Sequence, residues 1–229
     1  MTDQCTIALA AAGVSLWLEV SEGRLPQVVH WGPELPDGSA RAVRAAADSG
    51  LTPTTLNGID TPVRLSILPE GASGMLGRPG LSGHRNRTAW SPRWVVSEVR
   101  VGDAVVTDHH ADGAALVTAM AADPHTGLAL LLEIELAASG LIRTRATVTN
   151  RGEGPYTLDS LTPGLPVPTR AAELLDHAGR WGAERTPQRL PFAVGTHLRE
   201  NRRGRTGADA AYVLHAGTPG FTFRTGEVW

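Results

Sequence analysis

Lysine is absent from this 229-residue chain, whose 21 basic side chains are all arginine. Any mechanism that needs a lysine amine from this chain is therefore excluded. Cysteine occurs once, at Cys5, so no intrachain disulfide can form and thiol-only zinc sites are ruled out. Lying so near a terminus, Cys5 reads as a bystander thiol. An excess of one charge sign is also missing: 21 basic residues face 23 acidic ones, a net charge of −2. That balance lacks the electrostatic footprint of a nucleic-acid-binding domain, and no nucleic-acid partner is expected. No apolar run reaches the ~18 residues of a membrane span, so no membrane partner is expected either. Thr6–Val20 is apolar enough to suggest a secretion signal, yet Asp3 stands where a basic region belongs and the first arginine is Arg24. The expected compartment is the cytoplasm.

What the chain does contain is material for a core and for turns. Hydrophobic residues make up 41% and charged residues 19%, enough apolar surface to bury. Its 26 glycines and 16 prolines suit a fold with many tight turns. From Val14 to Val20 apolar residues alternate with Ser15, Trp17 and Glu19, predicting a strand with one buried face. Trp94–Val101, Ala104–Ala111 and Ala114–Ala121 are separated by Gly102-Asp103 and Asp112-Gly113, linkers whose chemistry matches hairpin turns, so a three-stranded meander is expected.

After the turn Asp123-Pro124-His125-Thr126-Gly127 comes the clearest hairpin, Leu128–Leu136 with Leu141–Thr149. A three-residue loop, Ala138-Ser139-Gly140 with Gly140 left-handed, pairs Glu135 with Arg143 and Glu133 with Arg145, and sets the apolar residues on one face. Further strands are expected at 28–31, 63–68, 156–161, 174–181, 212–215 and 221–228. Helical signals are weak and confined to 41–48 and 170–177. The fold class is all-β, a large antiparallel sandwich forming one domain over residues 1–229. The strand-like alternation running up to Trp229 suggests a domain belonging to a longer protein.

The chemistry candidates mostly have plainer explanations. Glu133 and Glu135 could be a glycosidase pair, but the hairpin register makes them cross-strand partners of arginines. His109 and His110 point to opposite faces if they lie in a strand, and His84, His125, His177, His197 and His215 show no ligand spacing. No metal and no cofactor are expected. Arg202-Arg203-Gly204-Arg205-Thr206-Gly207 reads as a loop pinned by arginine–carboxylate contacts, not as a phosphate cradle. Gly179-Arg180-Trp181-Gly182-Ala183-Glu184-Arg185 is the most suggestive segment. A tryptophan between glycines is easily exposed, its face suits the C–H surface of a sugar, and arginine can donate to hydroxyls. The alternative is a buried packing tryptophan.

Six segments in one order carry a resemblance: His30-Trp31-Gly32; Gly77-Arg78-Pro79-Gly80-Leu81-Ser82-Gly83-His84-Arg85; Gly127-Leu128 with the Leu141–Asn150 strand; Gly179-Arg180-Trp181 with Glu184-Arg185; Arg202 to Gly207; and Gly226-Glu227-Val228-Trp229. Over nearly its whole length the chain resembles the N-terminal domain of bacterial family 36 α-galactosidases. The resemblance implies a β-supersandwich similar to galactose mutarotase, followed in the complete enzyme by a (β/α)8 catalytic barrel. It also implies a retaining hydrolase of terminal α-galactosides that uses an aspartate nucleophile and an aspartate acid/base, both in that barrel. The nucleophile sits in a Lys-Trp-Asp segment, and this chain has neither lysine nor a Trp-Asp pair. No catalytic residue is therefore expected here, and the chain alone should be inactive.

The implied partners are α-galactosides, the chain's own barrel, and further copies in a homo-oligomer, often a tetramer. Trp181 matches the tryptophan that such domains lend to the pocket wall, and it is the one substrate-binding residue carried over. Pro69-Glu70-Gly71 followed by Gly77-Arg78-Pro79 departs from the commoner family pattern, so acidic sugar contacts of that region are not transferred. Two rival functions remain: a standalone carbohydrate-binding module, and a mutarotase-type epimerase using a His/Glu pair.

Overall fold

The computed structural model describes residues 5–21, 23–35, 40–49, 51, 64–75, 77–106, 110–200 and 213–229. The chain forms two compact units, Met1–Pro166 and Val167–Trp229. Both are built of β-strands, with one α-helix among the described residues. No helix among them is long and apolar enough to cross a membrane. The all-β, predominantly antiparallel architecture is the one expected.

In the first unit, β1 (Cys5–Ala11) and β2 (Val14–Val20) form a hairpin around Ala12 and Gly13, whose φ values of 50° and 79° both lie in the left-handed region. Two positive φ angles match the right-handed twist of the flanking strands. β3 (Gln27–Pro33) pairs with the far side of β2. Cys5 is no loose terminal thiol, because it opens β1 and is buried. β2 is buried on both faces, contrary to the expectation from its alternation. On its second face Glu19 is covered by arginines: Arg44, on the Ala-rich helix α1 (Ala40–Ser49), lies 3.5 Å from its carboxylate, and Arg64 donates to Glu19 Oε2 at 3.0 Å. A carboxylate on a strand is thus no proof of a wet face when a guanidinium can follow it inside.

After a short 3₁₀ turn (Gly71–Ser73), β4 (Leu81–His84) pairs later with β11 (Thr157–Leu161). The second large sheet runs β10-β9-β8-β5-β6, made from β5 (Val95–Val101), β6 (Ala104–Val105), β8 (Ala115–Asp123), β9 (Leu128–Leu136) and β10 (Ile142–Asn150). The expected meander fails in its middle strand. Only Ala104-Val105 pairs with β5, and β7 (His110–Asp112) lies parallel to β1 in the other sheet. β8 pairs directly with β5 instead, which aligns Val99 and Val101 with Ala119 and Val117 on the buried face. Ile7, Leu9, Leu16 and Leu18 of the first sheet share one core with Val117, Leu132, Ile134 and Leu136 of the second.

The β9–β10 hairpin forms as expected, with Arg143 opposite Glu135, Arg145 opposite Glu133, and Gly140 at φ 82°. Residues 64–68 make only a single bridge, Gln27 to Ser66, so no strand forms there. Val63 and Tyr212 lie outside the described residues.

The second unit is a three-stranded sheet ordered β13-β12-β14, from β12 (Glu173–Arg180), β13 (Ala183–Pro191) and β14 (His215–Gly217). Leu174, Ala171 and Ala216 form its small core. The helical signal at 170–177 is overridden by strand pairing. Residues 221–228 alternate in sequence yet make only the Gly217–Val228 bridge. Thr222 N–H donates to the Thr225 carbonyl there, turning the chain back on itself.

Candidate functional site

β12 and β13 join through the shortest of connections. Arg180 pairs with Ala183, leaving Trp181 and Gly182 as the two corner residues. Gly182 takes φ 79°, a left-handed conformation that a residue with a Cβ adopts only at a cost. Its N–H donates to Glu184 Oε1 at 2.9 Å, and that donation holds the Glu184 carboxyl below its ordinary value. Ala178 and Arg180 flank a register shift at Gly179. The outcome is an indole standing 91% exposed at the hairpin tip within this chain. Such a face offers C–H stacking to a ligand ring, with Arg180 adjacent in sequence as a donor.

Below the tip lies a polar cluster that sequence reasoning missed. Asp176 of β12 is buried, its side chain 1% exposed, and it accepts from four donors. His177 N–H reaches Oδ1 at 2.6 Å, while His197 Nε2 at 2.9 Å and Arg199 Nε and Nη2 at 2.9 and 2.6 Å converge on Oδ2. Burial pushes the Asp176 carboxyl up, but these donors together outweigh it and hold the group below its ordinary value. On the other face His177 and His215 meet edge to face at 5.9 Å. Spacing in sequence hid both meetings, because the residues come from different strands and a return segment.

A second exposed indole, Trp90, is 71% accessible and lines a cleft together with Pro69, Glu70, Pro79 and Pro92. Burial raises the Glu70 carboxyl above its ordinary value, although it accepts from the Trp94 N–H at 2.8 Å.

The two strand glutamates fall where their plainer explanation puts them. Glu135 and Glu133 lie 2.6 and 3.9 Å from Arg143 and Arg145 and face outward. His109 and the 202–207 arginine run lie outside the described residues, as does the side chain of His110. Among the described residues no three His, Cys, Asp or Glu side chains are grouped to hold a metal ion.

Segments separated in sequence converge on Arg85. Its guanidinium donates to the carbonyls of Glu153, Gly154 and Thr126 and to Asn150 Oδ1, at 2.6–3.1 Å. The ring of Tyr156 lies 5.7 Å away. Residues 24–229 match the glycosyl hydrolase family 36 N-terminal domain. The chain belongs to that family. An α-galactosidase of Escherichia coli is 34% identical over 207 residues, covering 89% of this chain and 27% of that protein. Among solved structures, the family 36 α-galactosidase AgaA of Geobacillus stearothermophilus superposes with a TM-score of 0.76 at 18% identity, over 97% of this chain and 33% of its own. A variant of the same enzyme has been solved with raffinose. The Lactobacillus brevis α-galactosidase gives a TM-score of 0.76 at 15% identity, over 95% of this chain and 31% of its own. The chain thus spans about a quarter of its curated relative and about a third of the solved enzymes.

Proposed function

We propose that this family 36 chain, residues 1–229, is the non-catalytic N-terminal domain of a cytoplasmic α-galactosidase, shaping the sugar pocket and the oligomer interface. The observation that carries the reading is the exposure of Trp181 at a two-residue hairpin corner in a chain of this family. Trp181 stacks on the α-galactoside, within raffinose-like or melibiose-like sugars, and contributes an apolar wall to the pocket. The nucleophile and acid/base aspartates come from a (β/α)8 barrel following this domain, so this chain alone hydrolyses nothing. Assembly as a homo-oligomer, a tetramer by analogy, brings the hairpin to the pocket it serves. A single cysteine, with no disulfide to form, accords with a reducing compartment.

Two experiments test the proposal. Reading the source DNA past the Trp229 codon should give an open frame with a Lys-Trp-Asp segment. A stop codon there would overturn the domain assignment and bring the binding-module alternative forward. In the complete enzyme, Trp181→Ala should raise KM more than it lowers kcat, because stacking holds substrate and transition state alike. Unchanged kinetics would remove Trp181 from the pocket.

A further inference from the structure

The Trp181 hairpin has little of its own to hold it. Among the described residues β14 pairs with β12 only along Glu173, Leu174 and Leu175, and from Asp176 outward the described hairpin is two-stranded. β13 is exposed at every residue, and Pro187 sits within it. Two-stranded ribbons without a buried face are marginal in water. The run from Asp176 to Trp181 spans about 17 Å at strand rise, so 10° of play at its base moves the tip by about 3 Å. A stacking platform needs placement to roughly 0.5 Å.

Asp176 is the first β12 residue beyond the reach of β14, and its cross-strand partner is Gln188. Arg199 joins the two strands at that level: Nη2 donates to Asp176 Oδ2 and, at 3.2 Å, to Gln188 Oε1. His197 adds a further donor to the same carboxylate from the same return segment. A planar guanidinium reaching both strands fixes their spacing and angle as a single ammonium would not.

We infer that Asp176, Arg199 and His197 form a clamp at the base of the hairpin, with Asp176 a positioning residue that holds the orientation of Trp181. The sugar-binding consequence rests on the proposed pocket role of Trp181; the ordering of the hairpin does not. Asp176 touches no ligand in this scheme, since its four donors leave it enclosed within the second unit.

The test uses the 229-residue chain with Asp176→Asn, Arg199→Ala, Arg199→Lys, His197→Ala and His197→Gln, raffinose being the probe. The Trp181 indole N–H resonance, identified by its loss in Trp181→Phe, reports order at the tip through its heteronuclear NOE. Amide exchange reports the strands. Asp176→Asn should lower the Trp181 NOE and speed exchange from Ala178 to Thr186 about tenfold, with His215–Gly217 unchanged. Arg199→Ala should do the same and Arg199→Lys should fail to rescue, whereas His197→Gln, which keeps a donor, should stay closer to the parent than His197→Ala. In the complete enzyme Asp176→Asn should raise the KM for raffinose about tenfold.

A Trp181 NOE and hairpin exchange unaltered in Asp176→Asn would overturn the clamp. Loss of protection spread equally over β14 would overturn it too, by showing plain destabilisation of the unit. A complete enzyme whose KM for raffinose is unchanged in Trp181→Ala, with the tip still loosened in Asp176→Asn, would remove the sugar contact and leave the clamp standing.

Discussion

Gly83 and Arg85 lie two positions apart in the Gly-Arg-Pro-Gly-Leu-Ser-Gly-His-Arg run, and each has a different reason to be there. A Cβ on Gly83 would overlap the Thr157 carbonyl oxygen and stand 2.6 Å from the Tyr156 ring, both on the neighbouring stretch of chain. Gly83→Ala should therefore force β4 and β11 apart and cost about 2–3 kcal/mol, read from chemical denaturation. Arg85 satisfies three carbonyls and one side-chain amide oxygen that belong to the β8–β9 turn and to the segment between β10 and β11. Its removal in Arg85→Ala leaves those acceptors short of partners, with an expected loss of about 3 kcal/mol. Arg85→Lys should recover little of it, because one ammonium cannot serve such spread-out acceptors. Either variant matching the parent in denaturant midpoint would refute this account. Neither role is visible from residue type alone, since the acceptors are supplied by chain more than forty positions away.

Among the elements, the β9–β10 hairpin was fully legible because everything that decides it is local. Its loop, its left-handed Gly140 and its two-fold alternation agree on one register. Its energy lies on the inner face: Leu132→Ala should cost about 3–4 kcal/mol, while Glu135→Ala should cost under about 1 kcal/mol, the exposed Arg143 pair being well solvated. Comparable losses in the two variants would contradict this division. β7 was not legible, because its partner β1 lies a hundred positions earlier and nothing in the local pattern names it. β13 was missed for a different reason. With Pro187 and charged residues throughout it reads as loop, and it becomes a strand only as the edge partner of β12.

At the scale of the whole molecule, one carboxyl in each unit should answer acid in opposite senses. In Val167–Trp229 the Asp176 carboxyl is held below its ordinary value, so the unfolded chain binds its proton first. That stability is complete above the unfolded pKa, ~3.9, and is lost as the pH falls through the folded value. In Met1–Pro166 the Glu70 carboxyl is raised by burial, so the folded unit binds the proton first and gains stability as pH falls from the folded value toward ~4.3. Amide exchange followed from neutral pH to about pH 3 should thus show Leu174–Ala178 losing protection before Leu128–Leu136, with Asp176→Asn flattening the first response. Simultaneous loss would overturn the assignment. The sequence by itself determined what local patterning can encode: an all-β class, the main hairpin and its register, and the family 36 segments, because two-fold alternation and turn chemistry act over a few residues. Only the tertiary structure decided which sheet receives β7, that arginines enclose Glu19 on the second face of β2, and that Asp176, His197 and Arg199 meet. Each of those depends on chain brought together from far away, where neither propensity nor spacing carries information.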